Sequence, residues 1–191
     1  GGTLNNAGLG KDVLAAITTG ANNTALGANA GDSLTTGARN TALGHNALTA
    51  NTTASDNTAV GQASLSANTT GTRNVAVGRN TLTTQTTTDD NTAVGYEALA
   101  SNTTGTQNTA VGAYALDANT TDSYNSALGY QALSANTTGE KNTAVGSFAL
   151  RDSTTSDNNT ALGSSALLVN TTGAQNVSVG ALSLTSNTTA S

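Results

Sequence analysis

Apolar and polar residues recur along this chain with a period much longer than a helical turn or a strand alternation. Asn stands at 6, 23, 40, 57, 74, 91, 108, 125, 142, 159 and 176, each 17 residues after the last, with no insertion between copies. Eleven copies of N-T-A-[VL]-G-x-x-A-L-x-x-N-T-T-x-x-x fill the sequence, and such a repeat has to be read before any single element. Counting repeat positions from that Asn, position 4 is Val or Leu, from Leu9 to Val179, and position 5 is Gly, from Gly10 to Gly180. Position 9 is Leu in every copy but the second, where Gly31 stands, and positions 13 and 14 are always Thr. The apolar letters do not follow the i, i+3, i+4, i+7 stripe of an amphipathic helix, and an interior Gly alone costs a helix about 1 kcal/mol. The short alternating run T-A-V ending at Gly, and a second run around N-T-T, predict brief strands separated by bends.

An exact period without insertions is what stacking demands, because one extra residue would throw every later side chain off its column. The expected fold is therefore all-β, a parallel β-solenoid (β-helix or β-roll) of eleven 17-residue repeats. At about 4.8 Å per coil, eleven coils make a rod on the order of 50 Å. Val or Leu at position 4 and Leu at position 9 are expected to form the apolar core. Strand alternation then sends positions 1, 3 and 5 outward as a flat face of Asn, Ala and Gly. Asn at positions 1 and 12 is expected to stack amide on amide, as in cross-β ladders. Two large aliphatics and a few Ala per repeat are a thin core. That thinness points to a partner: a homotrimer of side-by-side or intertwined solenoids, with a lone solenoid as the alternative.

A second period lies inside the first. Position 15 reads Gly71, Thr88, Gly105, Asp122, Gly139, Ser156, Gly173, Ala190, so the repeats pair as 34-residue units. A 34-residue turn with two similar halves fits this pattern as well. Deviations collect at the start, where Ile17 and Leu34 replace the usual Asn of position 12 and Gly31 replaces Leu. Residues 1–39 are read as an N-terminal segment of two atypical repeats and 40–191 as regular repeats of one continuous domain. The Leu34 and Gly31 exchange implies that position 12 faces inward. Ser191 stops within a repeat, which predicts a piece of a longer fibre or stacking end to end through an open edge.

Composition narrows the function. Charged residues are 9% and aromatics 3% of the chain, with no Pro, Cys, Met or Trp; disordered chains are instead charged and Pro-rich. A net charge of −5 with six scattered Lys and Arg argues against nucleic acid. No apolar run reaches the ~18 residues of a membrane helix. Absence of Cys removes disulfide and thiolate chemistry. His45 is the only histidine, so there is no triad or imidazole cluster. Asp89, Asp90, Asp117 and Asp122 form no periodic Asp-rich loop for Ca²⁺, and the glycines recur singly rather than as a phosphate cradle. The expectation is a chain that is not an enzyme, with no catalytic, metal or cofactor residues.

Two features carry candidate contacts. Tyr96, Tyr114, Tyr130 and Phe148 alternate between positions 6 and 7 of consecutive repeats, with Tyr124 nearby. They read either as a surface stripe for stacking sugars or docking a receptor, or as rings that pack on each other or on a neighbouring chain. The Thr-Thr columns match the regular Thr arrays of ice-binding surfaces, although β-branched Thr also simply suits stacked strands. Asn-Thr-Thr at Asn51, Asn68, Asn102, Asn119, Asn136, Asn170 and Asn187 fits the N-glycosylation sequon as a by-product of the repeat.

The motif N-T-A-[VL]-G-x-x-A-L followed by N-T-T-G-x-x-N resembles the short repeats in the shafts of bacteriophage tail fibres and related virion fibres. It is also similar to the head repeat of trimeric autotransporter adhesins, whose period is shorter. The resemblance spans essentially the whole chain but includes no membrane anchor and no trimerisation chaperone. It implies an extracellular or virion rod, usually trimeric, that holds or presents a binding surface for a cell-surface glycan or receptor. It transfers no catalytic residue. The alternative reading is an ice-binding or glycan-binding solenoid.

Overall fold

The computed structural model describes residues 4–190. Gly1 and Ser191, the outer bounds of the two segments expected above, lie outside the described residues. Each coil contributes one three-residue strand: β1 (Ala7–Leu9), β2 (Thr24–Leu26), β3 (Thr41–Leu43) and so on through β11 (Val177–Val179). The strands form a single 11-stranded sheet in chain order. Every pairing is parallel and sets a residue opposite its equivalent in the next repeat, as in Thr92↔Thr109, Ala93↔Ala110 and Val94↔Val111. One turn of the solenoid is thus 17 residues, not 34. No helix occurs among the described residues.

The rest of each coil is turns, yet they are laddered as thoroughly as the strands. In the coil that begins at Asn91, the Gly95 amide donates back to Val77 O at 2.8 Å and the Glu97 amide to Arg79 O at 3.0 Å. The amides of Leu99, Ser101 and Thr103 donate forward to Ala115 O, Asp117 O and Thr120 O at 3.1, 3.1 and 2.8 Å. Thr at position 13 adds its hydroxyl to this wall, as Thr103 Oγ1 does to Thr120 O at 2.8 Å. Main-chain polar groups are satisfied by the coils above and below, which is why an exact repeat length is obligatory.

Tight corners make so short a turn possible. Positions 7, 9 and 17 hold left-handed backbone on residues with a Cβ, as at Glu97 (φ 55°), Leu99 (φ 51°) and Gln107 (φ 57°). Each such residue costs about 1–2 kcal/mol. At position 9 burial of the Leu side chain returns about 1.5–3 kcal/mol, so packing wins there. At position 5 the requirement is stricter. Gly129 has φ 141°, and a Cβ on it would lie 2.5 Å from Gly146 O; only Gly fits.

The interior differs from the sequence reading in the phase of the strand. Position 3, not position 4, faces inward: Ala93, Ala110 and Ala144 are fully buried. Leu26, Leu128 and Leu162 at position 4 are about half exposed, at 49%, 50% and 47%. Asn at position 1 is inside as well; Asn57, Asn91, Asn125 and Asn159 have no exposure. The flat outer face of Asn, Ala and Gly therefore does not exist. Alternation puts 1 and 3 on one side and 2 and 4 on the other, and the amide decides which side is in. The coil interior is narrow, with Leu of position 9 and Ala of position 8 filling most of it.

Each position-1 Asn that has a following coil makes two bonds that only an interior amide can make. Its Oδ1 accepts the backbone N–H of the next position-1 Asn at 2.8–3.0 Å. Its Nδ2 donates to the position-15 carbonyl of its own coil at 2.7–2.9 Å. One side chain thus closes its own coil and fixes the next. The principal link is amide to backbone, and the expected amide-on-amide contact accompanies it in five of the ten steps, at 3.1–3.3 Å, as from Asn40 Nδ2 to Asn23 Oδ1. At position 12 the expected stacking occurs, with Asn136 Nδ2 donating to Asn119 Oδ1 at 2.9 Å and Asn119 Nδ2 to Asn102 Oδ1 at 3.1 Å. Gln85 interrupts that column by accepting from Thr88 Oγ1 at 2.7 Å, and Asn68 Oδ1 below it is left without a partner.

The two N-terminal repeats continue the same sheet, with Ala7↔Thr24 and Leu9↔Leu26 in register. Their inside differs: Leu34 is buried and Ile17 packs on the core where other coils place Asn. Position 12 faces inward throughout, as the Leu34 and Gly31 exchange implied.

Candidate functional site

Repeat positions 6 and 7 follow the Gly of position 5 and form an outer corner of the rod. The same backbone recurs there whatever the side chain, with φ 57° at Ala63, 55° at Glu97, 57° at Tyr114 and 60° at Phe148. The structure brings the four predicted stripe residues together. Tyr96 and Tyr114 meet edge to face at 5.3 Å between centroids, Tyr114 and Tyr130 at 6.2 Å, and Tyr130 and Phe148 at 5.3 Å. These are favourable aromatic geometries. The string zigzags because aromatics occupy position 6 in one coil and position 7 in the next. Ala113, at position 6 between Tyr96 and Tyr130, leaves the room into which Tyr114 leans.

An arginine lies at each end. Arg79 stands over Tyr96 and Arg151 over Phe148, each with its guanidinium carbon 5.8 Å from the ring centre. Arg151 is also paired with Asp152 at 2.7 Å. Among the described residues Arg79 is the one Lys or Arg without a carboxylate at ion-pair distance. Its Nε donates instead to Gln62 Oε1 at 2.9 Å. The Tyr96 phenol is held above its ordinary range, first by its hydrogen bond to the Glu97 carboxylate and then by partial desolvation. Beside Glu97, burial pushes the half-buried Asp117 carboxyl up to about 6, and its Oδ1 has no hydrogen-bond partner. Tyr124 stands apart at position 17 of another corner and makes none of these ring contacts.

The second candidate surface is the outer side of the sheet, which sequence reasoning placed inside. Val and Leu of position 4 run the length of the rod beside the position-2 column, mostly Thr. Thr24, Thr41, Thr58, Thr92, Thr109, Thr143 and Thr160 of that column are partly or fully exposed. A signal for this orientation exists in the repeat: position 3 is Ala in nine of eleven copies while position 4 alternates freely between Val and Leu. A close-packed interior resists changes of size; an outer face does not. The Thr-Thr columns behave unequally, since position 13 spends its hydroxyl on the ladder and position 14 is exposed.

The remaining polar columns are accounted for by the fold. Arg39 and Asp56 pair through two bonds of 2.6 and 2.8 Å, and Arg73 and Asp90 through two of 2.6 and 3.0 Å. These position-17 pairs hold the Asp56 and Asp90 carboxyls below their ordinary range by hydrogen bonding to Arg. His45 is exposed at the position-6 corner. The sequon residues Asn51, Asn68, Asn102, Asn119, Asn136 and Asn170 are buried in the position-12 column, out of reach of a modifying enzyme in the folded rod. No group of three or more metal-ligating side chains and no pocket is present among the described residues. Comparison of the chain with models of known families, with curated proteins and with solved structures finds no match.

Proposed function

We propose that the chain is a non-catalytic structural rod of an extracellular or virion fibre, in which copies pack side by side as a homotrimer. The observation that supports this most is the outward Val and Leu column, which runs unbroken from Leu9 to Val179. A strip on the order of 50 Å by 10 Å, about 500 Å², is at the upper end of what a monomer leaves uncovered. The mechanism is mechanical. Inter-coil backbone bonds and the Asn column set length and stiffness, while outer corners vary without disturbing them. A lateral apolar face favours side-by-side packing over end-to-end stacking. The resemblance of the repeat to fibre shafts agrees with this and supplies the extracellular or virion setting.

Val94→Asp combined with Val111→Asp tests the reading. Both side chains point outward, so the far-ultraviolet circular dichroism should persist while native mass falls from three chains to one. A wild-type chain that is monomeric at all accessible concentrations removes the trimer. A second reading has its own observation: the position-2 Thr side chains share a flat face with Val and Leu at spacings of about 4.8 by 6.6 Å. Such an array suits an ordered ice surface. Thermal hysteresis from a monomer, abolished by Thr92→Lys, would favour it over the fibre.

A further inference from the structure

The fold does not need the four rings. Coils that carry Gln62 and Ala63, or Ser164 and Ser165, at the same corner have the same backbone, with φ 57° at Ala63 and 56° at Ser165. Four aromatics in consecutive coils of a chain that has five in all are therefore a surface feature added to a finished scaffold. Tyr96 and Tyr130 are the more open, at 36% and 45% exposure. They sit two coils apart, roughly 9.6 Å along the axis, with Tyr114 between them.

The geometry points to this corner as a binding platform for an extended neutral polysaccharide lying along the rod. Three properties support that chemistry. Tyr rings present an apolar body with a polar tip, which suits the C–H faces and hydroxyls of a sugar. The step from coil to coil, about 4.8 Å, is close to the length of one sugar unit in a straight β-linked chain. Arg79, 5.8 Å from the centre of the Tyr96 ring, offers hydrogen-bond donors beside the rings and Glu97, bonded to the Tyr96 phenol, an acceptor, so both signs are present and neither dominates. Arg79 Nε is taken by Gln62 Oε1, and since no carboxylate pairs with the guanidinium its other N–H groups serve as donors to sugar hydroxyls. Tyr96 and Tyr130 lie open on the outer corner, a shape that suits a long chain lying along the stripe. The inference rests on the fibre reading above, to which it adds a presented ligand, and the two fail separately, one by native mass and the other by binding.

The test is affinity electrophoresis of the full chain through gels containing hydroxyethylcellulose or soluble xylan, with calorimetry on cellohexaose and maltohexaose. Wild type should be retarded and should bind cellohexaose in preference to the curved α-linked maltohexaose. Tyr96→Ala and Tyr130→Ala should each weaken binding about tenfold or more, whereas Tyr124→Ala should not. These variants leave the fold intact, because Ala already stands at position 6 in Ala28 and Ala113. No retardation of folded wild type by either polysaccharide overturns the proposal. So does binding that survives both substitutions, or a self-association that Tyr96→Ala abolishes, which would assign the stripe to contacts between copies.

Discussion

Removal of one amide from the interior column should be far more damaging than its size suggests. Asn125 is fully buried. Its Oδ1 accepts the Asn142 amide at 3.0 Å and its Nδ2 donates to Gly139 O at 2.8 Å. Asn125→Ala strands the two partners unequally. Gly139 O keeps a second donor in Asn136 Nδ2 at 2.9 Å, so its loss is that of one ordinary bond, about 0.5–1.5 kcal/mol. The buried Asn142 N–H has no other acceptor among the described residues, and orphaning it costs about 1–3 kcal/mol. Together the substitution should destabilise by about 2–4 kcal/mol, against less than about 0.5 kcal/mol for the outward Ser126→Ala. Urea midpoints measure the total. Hydrogen exchange of the Asn142 amide measures the local part, and its protection should fall before that of amides several coils away, since coils contact only their neighbours. A cost below about 1 kcal/mol, with Asn142 still protected, would refute the clamp role given to this column.

Three further outcomes follow from the geometry. Ala63 has φ 57° at position 7, where Asn29, Asn46 and Asn80 stand in other coils; Ala63→Asn should relieve left-handed strain and raise stability by about 1 kcal/mol in urea melts. Gly129→Ala puts a Cβ 2.5 Å from Gly146 O at φ 141°, so a loss of about 3 kcal/mol or more and local opening by limited proteolysis are expected. The Asp117 carboxyl is raised from 3.8 to about 6 by burial, so the native chain holds its proton over a pH range in which the unfolded chain has lost it. Stability should fall as pH rises from 3.8 through about 6, and Asp117→Asn should flatten that slope and stabilise the rod at neutral pH. Thermal melts of both proteins across that range check the sign.

The period made the coil, the parallel register and the length of the rod legible, because each of these depends only on spacing. The phase of the strand was not legible. A three-residue run such as Thr92–Val94 has two possible faces, and hydrophobicity favours the one with Val inside. The fold takes the other because Asn91 must reach the Asn108 amide and Gly105 O, a demand visible only when the coil closes. The columns of the aromatic corner could be read from the repeat, down to the shift between Tyr96 and Tyr114. That the rings touch depends on Ala113 being small and on left-handed backbone at Tyr114, which no propensity argument supplies for a tyrosine. That Arg79 pairs with Gln62 and with no carboxylate was equally invisible, since pairing along a column is a matter of which coil carries which charge.

Alternation at position 15 bears on how such a rod can change length. From Gly37 onward, every second coil has Gly there, and a Cβ on Gly37, Gly71, Gly105, Gly139 or Gly173 would run into the carbonyl of the coil that follows. Gly20 and Gly37 already stand in successive coils, whereas two coils with a Cβ at this position never adjoin. Deleting a single Gly coil would force that contact; deleting a pair would not. Shortening of this scaffold is therefore expected in steps of two coils, about 9.6 Å, while a lone Gly coil can be added anywhere, like a ruler that can be extended by its small divisions but cut only at its large ones.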